Sequence, residues 1–173
     1  MALITNTELK TLRDVGSKID IAKADEAIKL AETVDLYVIL GNFYFDVVAN
    51  AAELSYTDLM DGSTFTVNGR PFIQSGIKAL VADLAYARYV DMINTNFSPF
   101  GITVKSTQDS VPITEGKLKQ IILQARRDAD VKFGIIDLYL DQNKSTFPRY
   151  DVAEDDINCN PKIVNGAQNW SII

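Results

Sequence analysis

Histidine is absent from this 173-residue chain, and cysteine and tryptophan occur once each. Without histidine the chain lacks the commonest general base and the commonest metal ligand. The single Cys159 cannot close an internal disulfide, so the framework reads as that of a reduced protein made inside a cell. Positive charge is in deficit: 17 Lys+Arg against 23 Asp+Glu give a net charge of −6. That balance favours solubility and argues against a strong general grip on nucleic acid, although DNA can pass nearby without being held. Long hydrophobic runs are missing as well. The longest, 37–40 and 43–45, are interrupted by Gly41 and Asn42, far short of the roughly 20 residues that span a bilayer. The opening MALITNTELKTLRD has no basic stretch ahead of an apolar core, so it is not read as a secretory signal. Asn143-Lys144-Ser145 and Asn169-Trp170-Ser171 match the glycosylation pattern and are read as chance. No internal repeat is visible.

What is present is 47% apolar residues in a length that suits one domain with its own core. Thr5 and Glu8 have capping-box spacing ahead of Leu9 and Leu12, which predicts a short helix ended by Gly16. Asp20 is placed to cap a second helix over 21–40, with Ala24, Ala27, Ile28, Ala31, Val34 and Val38 on one face. Asp25 and Lys29 are a favourable i,i+4 pair on the other face, and Gly41 is a stop. A third helix is expected over 43–54, with an added turn at 56–60. Thr114 opens a long amphipathic helix to about 141. Its apolar stripe is Leu118, Ile121, Ile122, Ala125, Ala129, Phe133, Ile136 and Leu140, and Lys119, Arg126, Asp130, Asp137 and Asp141 fall opposite.

Between these helices lies the most informative stretch, 61–104. Asn68-Gly69 is the preferred pair for a type I′ turn, because both positions need positive φ. It sets Val67 against Arg70, Thr66 against Pro71 and Phe65 against Phe72. The proline then falls on a rung that does not use its missing N–H. A lone two-stranded ribbon is marginal in water, so this one is expected to pack on something. The helix over 73–93 carries apolar residues on nearly every side, which predicts burial either at the centre of the fold or between subunits. The segment 94–111 reads as irregular, with Pro99 and a short strand at 102–104. Residues 144–173 carry no helical or strand period. They hold Pro148, Pro161 and the acidic cluster Asp151, Glu154, Asp155 and Asp156, and they include Trp170-Ser171-Ile172-Ile173. This part reads as an extended arm whose apolar residues need partners in cis or in trans. The fold class is therefore mainly α: a bundle of about four helices over 1–143, with a protruding β-hairpin at about 63–72, and a C-terminal arm over 144–173.

No standard catalytic constellation emerges. Cys159 has no histidine to activate it, so a mildly buried cysteine is the better reading. The acidic cluster lacks the central glycine and terminal glutamate of a calcium loop, and a solvated stretch outweighs a metal site. Arg126-Arg127 is offset by Asp128 and Asp130, which favours an exposed helix face over phosphate binding. The glycines join no strand to a helix start as a phosphate loop does. Tyr86, Tyr89, Phe97 and Phe100 would suit a ligand pocket or a base-stacking surface, but core packing is the commoner use of aromatics at helical spacing.

The words DLMDGSTFTVNGRPF, GIKALVADLAYARYV and NTNFSPFGITVKSTQDSVPI, with TNTELKTLRDV and LGNFYFDVVAN before them, resemble the head-to-tail connector proteins of tailed bacteriophages. More narrowly they resemble those of phages infecting Bacteroidetes, including the crAss-like group. The resemblance covers roughly residues 1 to 145 and rests on an order of elements, not on a catalytic signature. It implies a virion structural protein, made in the host bacterial cytoplasm, at the capsid vertex between head and tail. It also implies a ring of about twelve subunits below the portal. Its partners would be itself, the portal protein, other connector or tail ring proteins, and passing viral DNA that it does not bind by sequence, with no cofactor and no membrane. The interface candidates are Phe65, Asn68, Gly69, Arg70 and Phe72 of the hairpin, Phe97 and Phe100, and Trp170, Ile172 and Ile173 of the arm. Two other readings stand beside it: a monomeric or dimeric binding module using the aromatic pocket, and an enzyme using the acidic cluster as a metal site.

Overall fold

The computed structural model of the chain describes residues 2–13, 15, 19–98, 101–104 and 114–150, with the backbone alone at 94–98 and 101–104. The opening helix α1 (Asn6–Leu12) starts at the expected capping box. The Glu8 N–H donates to Thr5 Oγ1 at 3.2 Å, and the Thr5 N–H donates to Glu8 Oε2 at 2.8 Å. The helix ends at Leu12, ahead of Gly16, because Arg13 turns to extended backbone with φ −138° and reaches across to two other helices. Asp20 caps α2 (Ile21–Leu30), accepting from the Lys23 N–H at 3.2 Å. On its exposed face, Asp25 accepts from Asn6 Nδ2 at 3.2 Å.

Beyond α2 the chain departs from the expected single α-helix. Ala31–Leu36 form a π-helical turn, and α3 (Tyr37–Leu40) completes the rod before Gly41 ends it at φ +56°. The wide turn slips the phase of the buried face. Burial runs through Ala24, Ala27, Ile28 and Ala31 as the spacing predicts, then steps to Leu36 and Leu40. Val34 and Val38, expected in the core, are 45% and 49% exposed.

The next helix, α4 (Phe43–Asn50), stops short of residue 54, as the Asn50 side chain folds back on the Asp46 carbonyl at 2.9 Å. A 3-10 turn (Leu54–Tyr56) and α5 (Thr57–Asp61) follow. The hairpin has the predicted register: β1 (Ser63–Val67) and β2 (Arg70–Gln74) pair antiparallel, with Val67 against Arg70, Thr66 against Pro71 and Phe65 against Phe72. Asn68 at φ +50° and Gly69 at +75° make the turn. Ile73, placed on the following helix by its spacing, belongs instead to β2 and points outward, 72% exposed.

The central helix α6 (Gly76–Asn94) is buried almost all round, through Ile77, Leu80, Val81, Leu84, Ala85 and Tyr89. It packs against α1, α2, the π-helical turn, α5 and α7 (Glu115–Gln142). Its apolar circumference is thus met within its own chain rather than by a neighbouring subunit. A second ribbon follows it directly. β3 (Thr95–Ser98) and β4 (Gly101–Val104) pair antiparallel with Phe97 opposite Ile102, so the strand read at 102–104 has a partner that the sequence did not announce. α7 buries Ala125, Ala129, Phe133, Ile136 and Leu140 as its period predicts, and Tyr139 with them. A Glu115–Lys119 pair at 2.7 Å supports its first turn.

The body does not end where the long helix does. After Asn143 the chain folds back, and Phe147 is fully buried with its ring 5.2 Å from Tyr56, 6.1 Å from Tyr139 and 6.2 Å from Phe43. A 3-10 turn (Pro148–Tyr150) follows. The segment read as the start of an arm is therefore body through Tyr150. The fold class is as expected: mainly helical, with a small antiparallel hairpin.

Candidate interaction surface

The hairpin has a clamped base and a free tip. At its neck, Gly62 and Gly76 take φ +97° and +84° where the entering and leaving chains touch. A Cβ on Gly62 would lie 2.7 Å from the Gln74 carbonyl oxygen, and one on Gly76 would overlap the Met60 carbonyl. Gln74, buried at the end of β2, ties the neck together. Its amide donates to the Asp58 carbonyl, and its Oε1 accepts from the Gly76 N–H at 2.7 Å. On the inward face, the Phe65 and Phe72 rings lie 5.8 Å apart, and Phe65 meets Tyr139 of α7 edge-on at 5.4 Å. Among the predicted interface residues, Phe65 and Phe72 are half-buried and anchor the ribbon to its own body. Asn68, Gly69 and Arg70 are exposed at the tip. Phe97 is placed by its backbone alone, while Phe100, Trp170, Ile172 and Ile173 lie outside the described residues, as do Cys159 and the acidic cluster.

A second surface escaped the sequence reading. At the elbow between α3 and α4, Tyr37, Tyr44 and Phe45 stack edge to face with centroids 5.4 to 5.7 Å apart. Phe45 is 62% exposed, and Val34 and Val38 continue the patch along the rod. Its signal, apolar residues at i, i+3 and i+4 beside FYF, is in the sequence. The α-helical period assigned Val34 and Val38 to the core, and the π-helical turn moved them out.

The charged groups gathered in the interior hold elements together. Asp83 of α6 is fully buried. Its Oδ1 accepts from Arg13 Nε at 2.6 Å, and Lys132 Nζ stands 2.8 Å from its Oδ2. Arg13 also donates to Asp128 at 2.7 Å and lies over the Tyr86 ring, 5.6 Å from its centroid. Burial pulls the Arg13 pKa down, but the bonds to Asp128 and Asp83 outweigh it and hold the guanidinium above its ordinary value. The Arg13 bond keeps Asp128 below the usual carboxylate range. Arg88 grips Asp35 with two bonds at 2.6 and 2.7 Å, locking α6 to the π-helical turn. Asp46 accepts from the Tyr56 hydroxyl and from Arg149 at 3.2 Å. Burial first, then the Asp46 bond, pushes the Tyr56 hydroxyl up to about 12. Glu32 accepts from the Leu3 and Ile4 N–H groups at 2.6 and 3.0 Å, and burial still raises its pKa. The partners of these carboxylates come from distant segments, which makes them ties between elements.

The proposed aromatic pocket is divided among other tasks. Tyr89 is buried in the core, its hydroxyl accepting from the Asp20 N–H at 3.1 Å, and Tyr86 lies under Arg13. Two shallow depressions among the described residues lie elsewhere. One sits between α1 and α2 by Ile4, Asp25, Ile28 and Glu32, the other by Glu8, Leu12, Asp61 and Lys78. No described group of three or more acidic or cysteine side chains is arranged to hold a metal ion.

Residues 36–158 match the model of a family described as a family of unknown function, DUF6712. The match starts in the π-helical turn and includes the elbow, the hairpin, α6 and α7. No curated protein and no solved structure matches the chain.

Proposed function

We propose a function from the premise that this chain belongs to the DUF6712 family, a family of unknown function. It is a virion structural protein, a head-to-tail connector subunit that forms a ring below the portal, joins capsid to tail and lines the DNA exit channel. The observation that carries this reading is the unit spanning 61–94. The words that resemble phage connectors fold there into a hairpin with a clamped neck and an exposed tip, running straight into the central helix. Such a unit presents an exposed tip on a ribbon whose neck and inward face are fixed to the body, which suits docking onto another ring. The net charge of −6 suits a channel through which DNA slides without sticking. Buried carboxylates used as ties between elements also favour a structural role over a chemical one.

The test is the native mass of the purified chain, with and without the portal protein of the same phage, with negative-stain imaging of both samples. Rings, or stacking of the chain onto portal rings, are expected. A stable monomer that ignores the portal would overturn the connector reading. Within the first outcome, Asn68-Gly69→Ala-Ala is expected to weaken portal docking, because alanine disfavours positive φ at the tip. Undiminished docking by a folded variant would remove the hairpin from the interface.

A further inference from the structure

The hairpin rests on two supports, and one side chain meets both. At its inward face Phe65 stands edge-on to Tyr139 of α7 at 5.4 Å, and the Tyr139 hydroxyl interacts with Ser63 at the start of β1. At its neck Gln74 donates to the Asp58 carbonyl of α5, the helix that starts from Tyr56. Phe147 is fully buried between these supports, its ring 6.1 Å from Tyr139 and 5.2 Å from Tyr56. It comes from neither the hairpin nor a helix, but from the turn that follows α7.

That turn is shaped from within. The Thr146 and Phe147 N–H groups donate to the Asn143 carbonyl at 2.9 and 3.0 Å, and the Tyr150 N–H donates to the Phe147 carbonyl at 3.1 Å. Side chains seat it on the body. Phe147 fills its slot, Arg149 donates to Asp46 at 3.2 Å from an exposed position, the Tyr150 ring meets Phe43 at 5.2 Å, and the Tyr150 hydroxyl donates to Asp137. A segment folded on itself and seated by side chains is suited to open as a unit. The helical core is joined through other residues: Arg13–Asp83 ties the end of α1 to α6, and Arg88–Asp35 ties α6 to the π-helical turn. The ribbon has no such independence, since two strands alone are marginal in water.

We propose that residues 143–150 are a releasable brace for the hairpin. With Phe147 seated, Tyr139 and Tyr56 are held and the ribbon keeps one attitude on the body. With the turn withdrawn, both supports are freed and the ribbon leaves Tyr139, while α6 stays packed on α1 and α2. The element with two states is the turn, seated or withdrawn. Such coupling is reciprocal: a body that docks on the tip and holds the ribbon down also holds Phe147 in its slot, and one that draws the turn away loosens the tip. The brace does not depend on the connector reading. Within that reading, it makes the attitude of the docking tip answer to the segment after α7.

The experiment is amide hydrogen exchange of the full chain, without portal, read on peptides covering 63–74, 77–90 and 144–150. In the native chain, 63–74 and 144–150 are expected to exchange sooner than 77–90, through an opening that leaves α6 closed. Exchange of 63–74 only together with 77–90 would overturn the brace, because the ribbon would then have no release of its own. The deciding result is the cross-effect of two substitutions. Phe147→Ala is expected to speed exchange of 63–74 by about tenfold or more, the scale of a lost aromatic contact and its burial. Phe65→Ala is expected to speed exchange of 144–150 to a similar degree, although residue 65 lies in the other segment. Substitutions that each speed only their own segment would show two independent openings and overturn the proposal. Should Phe147→Ala fail to fold, Phe147→Leu takes its place, and the effect of Phe65→Ala on 144–150 decides by itself.

Discussion

At the scale of single residues, the same residue type has opposite consequences at different places. Gly69 stands at φ +75° in open space, so Gly69→Ala meets only the left-handed strain, about 1 kcal/mol. Gly76 has a similar φ but is pressed against the Met60 carbonyl. Gly76→Ala is expected to cost more than ~2 kcal/mol in urea unfolding, because strain and collision add. Equal costs at the two positions would contradict the close approach at the neck. Glu32 gives a prediction in pH. Burial raises its folded pKa above the unfolded value, so the folded state holds the proton longer. Below the ordinary glutamate value, about 4.3, both states are protonated. As pH rises from there to the raised value, the folded state binds more protons than the unfolded state, and stability falls. Glu32→Gln keeps an oxygen to accept from Leu3 and Ile4 but cannot ionise. Its stability relative to the native chain is expected to improve as pH rises through that window and then level off. A difference that stays flat from about pH 4 to about pH 8 would contradict this.

At the scale of elements, the π-helical turn is the feature that most alters the surface. An α-helix carries burial forward in steps of three and four residues, whereas this turn takes one wider step, from Ala31 to Leu36. Glu32 stays in phase with Ala31 before the step, and Asp35 with Leu36 after it, so both keep their partners in the N-terminal segment and on α6. Deleting the exposed Thr33 is expected to convert the wide turn into an ordinary α-helical one. Leu36 and Leu40 would stay buried, and the cost would be within about 1 kcal/mol, as for a change away from the core. Deleting Ala82 from α6 would rotate every apolar residue after it by about 100° and is expected to prevent folding. Thermal melts of the two deletions compare them directly, and equal damage would show that the π-helical turn is required by the core. The hairpin, by contrast, was legible because its turn, register and proline rung are all decided by neighbours in sequence.

At the scale of the whole molecule, closure depends on a residue outside every periodic pattern. Phe147 fills the space between Phe43, Tyr56 and Tyr139 and so joins α4, the 3-10 turn before α5, and the end of α7. Arg149 and Tyr150 add bonds to Asp46 and Asp137 beside it. Phe147→Ala is expected to cost about 3–5 kcal/mol, the range for emptying a fully buried aromatic site, and to lower the urea midpoint accordingly. A cost under about 1 kcal/mol would mean that residues 144–150 are a surface strap and not part of the core. The half-buried Arg13 and the buried Asp83, with Lys132 and Asp128 around them, perform a similar closure at the other end of the chain, tying the end of α1 to α6 and α7.

The sequence by itself determined whatever depends on near neighbours or on a regular period. The capping box at Thr5, the Asp20 cap, the Asn68-Gly69 turn with its strand register, the buried circumference of α6 and the core stripe of α7 all follow from interactions a few residues apart. The tertiary structure decided the rest. It set the phase slip at residues 31–36, which brings Val34 and Val38 to the surface, and the burial of Phe147 in a stretch that has no period. It also brought Asp83 together with Arg13 and Lys132, and Phe65 onto Tyr139. These depend on which surfaces meet, and residues far apart in the chain acquire a mutual energy only once packing has brought them within contact distance and out of water.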